Sequence, residues 1–351
     1  MVNIAINNMK KVLMITCLNT SKEKFDGERI KCTLIYDSLR KFVDLDVINL
    51  SVHKFINTLK IFFKALCQKK KYEYVVISKD AHGANIIQKL LKMGRYPSSK
   101  IVYFEIGPFL YDRILNGSIN KETFINDRLI VVETDSMKEE LQSLGFKRIS
   151  VFPNFKPIYR IPFNEQKYPK EVLRLVYLSR IEEPKGIYDL IDVLVLLNKD
   201  KVRFVLDVYG RPQNKDEEAK ITELSNKYEF VNFLGMMEVG SKESYEKLSI
   251  YDLHVFPTKY REGFPGSIID FFIAGVPTLS ASFARAHEIL TDKDSIVYKQ
   301  GDNKDLFNKL NYAYNNQRVL KELRLNSYAR RDMYSVEAFE EYLSQLTMKK
   351  L

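Results

Sequence analysis

The sequence predicts an α/β protein of two doubly wound domains in tandem, closed by a helical C-terminal segment. Three observations carry this. Short apolar runs alternate with segments of helical period along nearly the whole chain. The alternation stops once, in a proline-rich stretch, and then restarts. The chain has 351 residues, too many for one ordinary core and suited to two domains of roughly 150–200 residues each.

In the first half the apolar runs at 11–17, 45–50, 74–78, 100–106, 128–133 and 148–152 read as strands. Between them the segments 29–42, 54–67, 85–93 and 136–144 place apolar residues three and four apart and read as helices. Residues 153–169 hold Pro153, Pro157, Pro162 and Pro169 and read as an interdomain linker. Strands then resume at 173–179, 202–209, 231–234, 253–256, 276–280 and 295–298. Helices are expected near 187–198, 215–227, 242–249 and 267–274, and from about 303 onward the chain is helical. Continuous apolar strands alternating with helices mean parallel sheets covered on both faces. The expected divisions are residues 1–165, residues 166–332 and a final helix at 333–351 that packs back on the first domain. Ligands of such folds bind beyond the carboxyl ends of the strands, and the cleft between two domains is the expected site.

Composition excludes several classes. With 45% apolar residues, 14 Gly and 11 Pro, the bulk of the chain is neither disordered nor fibrous. The cysteines are Cys17, Cys32 and Cys67, an odd number without a CxxC. That argues against a disulfide framework or a cysteine zinc site and suits a reducing cytoplasm. No window approaches 18 consecutive apolar residues, so no transmembrane helix is expected, and no secretory signal is read at the start.

The charge is one-sided. Residues 1–170 carry 29 Lys and Arg against 17 Asp and Glu, or +12, while residues 171–351 carry 26 against 28, or −2. Lys54, Lys60, Lys64, Lys69, Lys70 and Lys71 lie in a stretch without an acid, and the same stretch spaces Phe55, Leu59, Phe62, Phe63 and Leu66 as one helical face. A basic field of this kind implies an anionic partner. The simplest alternative is a surface helix with solvated lysines.

The most informative segment is Glu262-Gly-Phe-Pro-Gly-Ser-Ile-Ile-Asp270, followed by Phe271-Phe-Ile-Ala-Gly275-Val-Pro277. A strand ends at Pro257 and a loop carries Glu262. A helix then opens at Gly266 and Ser267, where the N–H groups of Gly266, Ser267 and Ile268 suit a phosphate. Pro265 has no N–H to offer. Two isolated acids would read as solvated charges. Here Glu262 and Asp270 bracket a phosphate-suited turn at a strand's carboxyl end, which favours function. Arg180 and Lys185 follow the first strand of the second domain. They could be surface cations beside Glu182 and Glu183. They also suit a leaving diphosphate, Arg as a planar fork and Lys as a point charge.

These segments together resemble the retaining, GT-B-fold glycosyltransferases of family 4, built from two Rossmann-like domains. The segment from Glu262 to Asp270 is similar to their E-x7-E motif, with Asp270 in place of the second Glu. Leu178-Ser-Arg180-Ile-Glu-Glu-Pro-Lys185-Gly186 is similar to their donor-phosphate motif, with Ser179 where Gly is usual. Leu206-Asp-Val-Tyr-Gly210 resembles the strand-to-glycine turn by the nucleotide, and Val231-Asn-Phe-Leu-Gly235 the strand leading towards the base. Glu133-Thr-Asp-Ser-Met-Lys138 and Val151-Phe-Pro-Asn-Phe155 resemble the end of the acceptor domain.

The resemblance implies an N-terminal acceptor domain and a C-terminal nucleotide-sugar domain. It implies a sugar moved from a nucleotide-diphospho-sugar, UDP preferred on family frequency, to a saccharide acceptor. The basic half fits a polyprenyl-diphosphate-linked saccharide in capsule, exopolysaccharide or O-antigen assembly, at an anionic membrane surface on the cytoplasmic side. Glu262, Arg180 and Lys185 are then the catalytic set. Gly27, Gly210, Gly266, Ser267 and Asp270 are the donor-binding set, with Asp270 on the ribose hydroxyls. No cofactor and no metal ion are expected. Gly27 rests on a weaker signal, since family members carry a Gly-rich turn there and this chain has one Gly. The turn at Glu105-Ile-Gly107-Pro108 has no His where many relatives have one. His82 reads as a helix-start residue and His254 as core; Asp44-Leu-Asp46 reads as a solvated strand edge. Alternatives are a sugar phosphorylase or nucleotide-sugar processing enzyme of the same fold, or, on charge alone, a non-catalytic nucleic-acid-binding protein. The last lacks an aromatic-basic recognition motif and leaves the acids unexplained; no nucleic acid is expected as a partner.

Overall fold

A computed structural model of the chain describes residues 10–19, 27–51, 54–68 and 70–349. The chain divides into two compact units, Met1–Lys156 with Val336–Leu351, and Pro157–Ser335.

The first unit holds β1 (Lys11–Thr16), α1 (Gly27–Leu39), β2 (Asp44–Asn49), α2 (Lys54–Cys67), β3 (Tyr74–Lys79), α3 (Ala81–Met93), β4 (Ile101–Glu105), α4 (Leu110–Leu115), β5 (Leu129–Val132), α5 (Asp135–Ser143) and β6 (Ile149–Val151). Its six strands form one parallel sheet in the order β2-β1-β3-β4-β5-β6. The central strands β3, β4 and β5 are buried almost throughout, as continuous Val/Ile runs under helices on both faces require. The helix expected at 85–93 begins four residues earlier. Asp80 accepts the N–H groups of His82 and Gly83 and so caps α3, a local device that apolar spacing does not report. His82 sits in this first turn with an exposed side chain.

The second unit holds β7 (Leu173–Leu178), α6 (Ile187–Leu197), β8 (Phe204–Tyr209), α7 (Lys215–Lys227), β9 (Val231–Phe233), α8 (Lys242–Leu248), β10 (Leu253–Phe256), α9 (Gly266–Ala274), β11 (Thr278–Ala281), α10 (Ala286–Ile289), β12 (Ser295–Tyr298), α11 (Asn303–Asn315) and α12 (Gln317–Arg330). Its sheet is also parallel, ordered β12-β11-β10-β7-β8-β9.

The structure moves the expected divisions at 165/166 and 332/333 to 156/157 and 335/336. Side-chain burial explains the first shift. Ile161 packs into the second unit's core with Tyr245 and Leu248, and its carbonyl accepts the Tyr328 hydroxyl at 2.6 Å. Tyr334, near the second division, stacks on Phe272 in the same core. The final helix, α13 (Val336–Lys349), belongs to the first unit. Phe339 stacks on Phe155 with ring centroids 4.0 Å apart, and Phe339, Leu343 and Leu346 share a core with Val12, Met14 and Ile35.

The order of each sheet contains a switch point. In the second unit the chain runs outward one way from β7 and the other way from β10, which lie side by side. The loops leaving β7 and β10 therefore diverge at one spot on the carboxyl edge, where open parallel sheets bind ligands.

Candidate functional site

Those two loops are stitched together by their own backbones. Lys259 N–H donates to Pro184 O at 2.8 Å, and Lys259 Nζ pairs with Glu183 and, at 2.9 Å, with Asp189. Gly186 sits at φ +75°, and a Cβ there would lie 1.9 Å from Pro257 O. Glycine is thus required twice at this position, by the left-handed backbone and by the neighbouring strand end. The crossing brings Lys185 to Glu262. Lys185 Nζ lies 2.6 Å from Glu262 Oε1, with side chains 10% and 16% exposed. Thr258 Oγ1 donates to the same carboxylate oxygen at 2.8 Å. The Lys185 ammonium also stands over the Tyr260 ring, 4.9 Å from its centroid. Below, the fully buried Arg285 donates from Nη1 to Glu262 O at 3.3 Å. Gln300 Nε2 holds the carbonyls of Thr258 and Tyr260 at 3.0 and 3.1 Å.

Four residues after Glu262, α9 begins. No side chain caps it, because Pro265 occupies the capping position. Of the three N–H groups expected at its start, Ile268 is taken, donating to Pro265 O at 3.2 Å. Gly266 and Ser267 remain as the donors of the first turn. Asp270 follows one turn on and is buried, and its Oδ1 accepts the Tyr245 hydroxyl at 3.0 Å. Burial and the adjacent carboxylate push the Tyr245 phenol far above its ordinary pKa, so it remains a donor. Six of the nine residues of α9 are buried apolar groups, which anchors the helix and leaves Asp270 as its one charge.

Other expected residues fall apart from this pair. Arg180 is exposed, 57% by side chain, and turns to Glu182 at 3.2 Å. Its carbonyl is pinned by the Tyr177 hydroxyl at 2.7 Å. Gly210 lies where β7 and β8 end together, and a Cβ there would lie 1.8 Å from Ser179 O. Gly27 opens α1 in the first unit, exposed, with nothing within 4 Å of a Cβ built on it, so packing does not demand glycine there. Residues 20–26 of the turn before it lie outside the described residues. His254 is core: it stacks on Phe271 at 3.8 Å, meets Thr278 Oγ1 at 3.1 Å, and burial drives its pKa well below the ordinary value. Among the described residues no group of three or more His, Cys, Asp or Glu could hold a metal ion.

Comparison with known proteins bears on this arrangement. Residues 160–332 match the family described as Glycosyl transferases group 1. The chain carries a group 1 glycosyltransferase domain. The solved structures it resembles show the fold. HepE of Anabaena, in complex with UDP, superposes with a TM-score of 0.69 at 15% identity over 98% of this chain and 100% of that one. Sucrose-phosphate synthase of Thermosynechococcus elongatus gives 0.75 at 14% identity over 97% and 98%. The lipopolysaccharide outer core galactosyltransferase WaaB, in its apo form, gives 0.69 at 15% identity over 97% and 100%. Both units are the Rossmann-like halves of a GT-B fold. No curated protein matches the chain in sequence.

In this glycosyltransferase domain, sequence reasoning missed Thr258, Tyr260, Arg285 and Tyr245. Thr258 and Tyr260 stand four and two residues before Glu262, in a segment with no period to read. Arg285 would be read as a surface cation, since only the tertiary fold buries it. The first unit holds a second missed cluster at its own switch point, where β1 and β3 diverge. Lys79 Nζ lies 2.6 Å from Glu28 and 3.0 Å from Asp80. Burial works against its charge, but the two carboxylates outweigh burial and raise its pKa. A Cβ on Gly83 would lie 2.5 Å from the Lys79 chain, so this glycine makes room for that lysine.

Proposed function

We propose that the chain is a retaining glycosyltransferase that moves a hexosyl group from a nucleotide-diphospho-sugar to a lipid-linked saccharide in cell-surface polysaccharide assembly. One observation carries the reading: the paired Lys185 and Glu262 at the carboxyl edge of a switch point, beside the uncapped start of α9. In this reading Lys185 exchanges part of its attraction to Glu262 for the donor diphosphate. Arg180 swings from Glu182 to the same anion. The amides of Gly266 and Ser267 add the field of the helix start. Negative charge grows on the diphosphate as the sugar departs, so fixed positive groups lower that barrier. Glu262 meets the sugar hydroxyls on the face where positive charge develops. Asp270, oriented by Tyr245, takes the ribose hydroxyls. Gly210 lets the strand end approach the nucleotide. Because these cations and amides can serve the diphosphate, we propose chemistry that needs no metal ion and no other cofactor. UDP is the proposed carrier, in keeping with HepE, whose structures hold UDP, UDP and glucose, or UDP-glucose.

The acceptor side rests on charge. α2 exposes Ile56, Leu59 and Phe63 along one stripe beside the exposed Lys60. We propose that this stripe meets an anionic membrane on its cytoplasmic face. No helix among the described residues is long and apolar enough to cross a membrane.

A nucleotide panel in thermal denaturation tests the donor. A nucleotide at 100 times its Kd should add about 2.7 kcal/mol of stability, and UDP should do so above GDP and ADP. Hydrolysis or transfer of a UDP-sugar should follow. Absence of both stabilisation and turnover across UDP, GDP and ADP sugars would overturn the reading. That result would favour a binding protein.

A further inference from the structure

We propose that Thr258 is a positioning residue: it holds one oxygen of the Glu262 carboxylate so that the other faces the donor sugar. This rests on the nucleotide-sugar reading above and deepens it. Thr258 Oγ1 and Lys185 Nζ both engage Oε1, at 2.8 and 2.6 Å. Among the described residues nothing donates to Oε2, which is the oxygen left to accept a sugar hydroxyl.

The hydroxyl is fixed by its surroundings. Thr258 is buried. Its Oγ1 accepts Tyr260 N–H at 3.2 Å, and its carbonyl accepts Gln300 Nε2 at 3.0 Å. A hydroxyl has one proton to give. With the Tyr260 amide approaching one side, that proton is directed to Glu262. Arg285 meanwhile fixes the Glu262 carbonyl from below, so the carboxylate is held at its tip and at its root.

Lys185 cannot do this alone. An ammonium is drawn to any anion, and a bound diphosphate would compete with Glu262 for it. The neutral Thr258 has no such competitor. Its bond to Oε1 persists when the donor is bound, the moment at which the direction of Oε2 matters.

The test uses Thr258→Val, which keeps the shape and removes the hydroxyl; Thr258→Ser, which keeps the hydroxyl; Glu262→Gln; and the double variant. The substrate is whichever of UDP-glucose, UDP-galactose, UDP-N-acetylglucosamine and GDP-mannose the wild type hydrolyses or transfers fastest. Thr258→Val should lower kcat about 10-fold, the loss expected when one hydrogen bond to a charged group is removed. The donor KM and the stabilisation by UDP should stay within about twofold. Thr258→Ser should restore kcat. In the Glu262→Gln background Thr258→Val should change kcat less than about twofold, because its effect passes through Glu262. Should Val not fold, Thr258→Ala takes its place. An unchanged kcat, an equal loss in both backgrounds, or no rescue by Ser overturns the positioning role. If Glu262→Gln itself leaves kcat intact, or the wild type turns over none of the four sugars, the nucleotide-sugar reading fails and this inference with it. If Glu262→Gln is impaired and Thr258→Val is not, the positioning role alone fails.

Discussion

Lys185 and Glu262 pair in a site that excludes most water, so removing either leaves the other buried without its partner. Replacing Lys185 with Ala should lower turnover by about 10²–10³, the usual cost of losing a group that stabilises developing charge. Arg180→Ala should do the same without loss of stability, since its side chain is exposed and its pairing with Glu182 contributes little. Steady-state kinetics of both variants, with melting curves as the check on folding, decide this; near-wild-type turnover in a folded double variant removes both from the chemistry. Asp270→Asn should raise the donor KM with little change in kcat, because a ribose contact serves ground and transition states alike. Glu262→Gln should instead depress kcat. The reverse pattern would exchange the two roles.

Helix α3 shows what one polar residue does for an element. Its apolar spacing reads only from Asn85, but Asp80 starts it at Ala81 by taking two of its free N–H groups. Asp80→Ala should cost about 1 kcal/mol of stability. Burial raises the Asp80 pKa, yet Lys79 and those N–H groups outweigh burial and leave it below the ordinary carboxylate value. The folded protein therefore binds this proton more weakly than the unfolded chain. The stabilisation is full above the unfolded pKa, about 4, and fades as the pH falls through the lower folded value. Urea midpoints of wild type and variant should differ most near neutrality and converge in acid; a gap that widens in acid would contradict the assignment. Helix α2 carries a different lesson. Lys64 and Lys71 do not stand free, because both approach Asp46, at 3.8 and 3.4 Å, and Lys64 also donates to Tyr72. A run without acids in sequence meets one across the sheet edge.

For the whole molecule the charge division remains, +12 in residues 1–170 against −2 in residues 171–351. Each lysine near an anionic surface contributes about 1 kcal/mol. With Lys64 and Lys71 engaged by Asp46, Lys60 and Lys70 are, among the described residues of this stretch, the exposed lysines outside that cluster, and Phe63 and Leu59 supply the apolar part. The protein should cosediment with anionic vesicles, much less with neutral ones, and detach between about 0.1 M and 1 M salt as the Debye length falls from about 10 Å to 3 Å. Changing Lys60 and Lys70 to Gln should weaken binding. Equal binding to both lipids would leave α2 an ordinary surface helix. Transfer should also survive EDTA; activity abolished by chelation and restored by Mg²⁺ or Mn²⁺ would replace the metal-free proposal.

By itself the sequence determined the alternation of strands and helices, the number of units and the loops that carry chemistry. Those signals are local: strand runs such as 74–78 and 253–256, the helix opening at Gly266 and the acids eight positions apart are set by neighbouring residues and their period. It also pointed to Lys185 and Glu262, though separately. Only the tertiary structure decided that they touch, that Thr258 shares their bond, that Tyr245 holds Asp270 and that Arg285 is buried beneath them. It decided too that the chain divides at 156/157, where Ile161 is drawn into the second core, and that α13 returns to the first unit through Phe339 and Phe155. These are meetings of residues from 4 to about 180 positions apart. Their partners are chosen by the order of the strands in each sheet and by which apolar surfaces close over which, and no local pattern of residues encodes that choice.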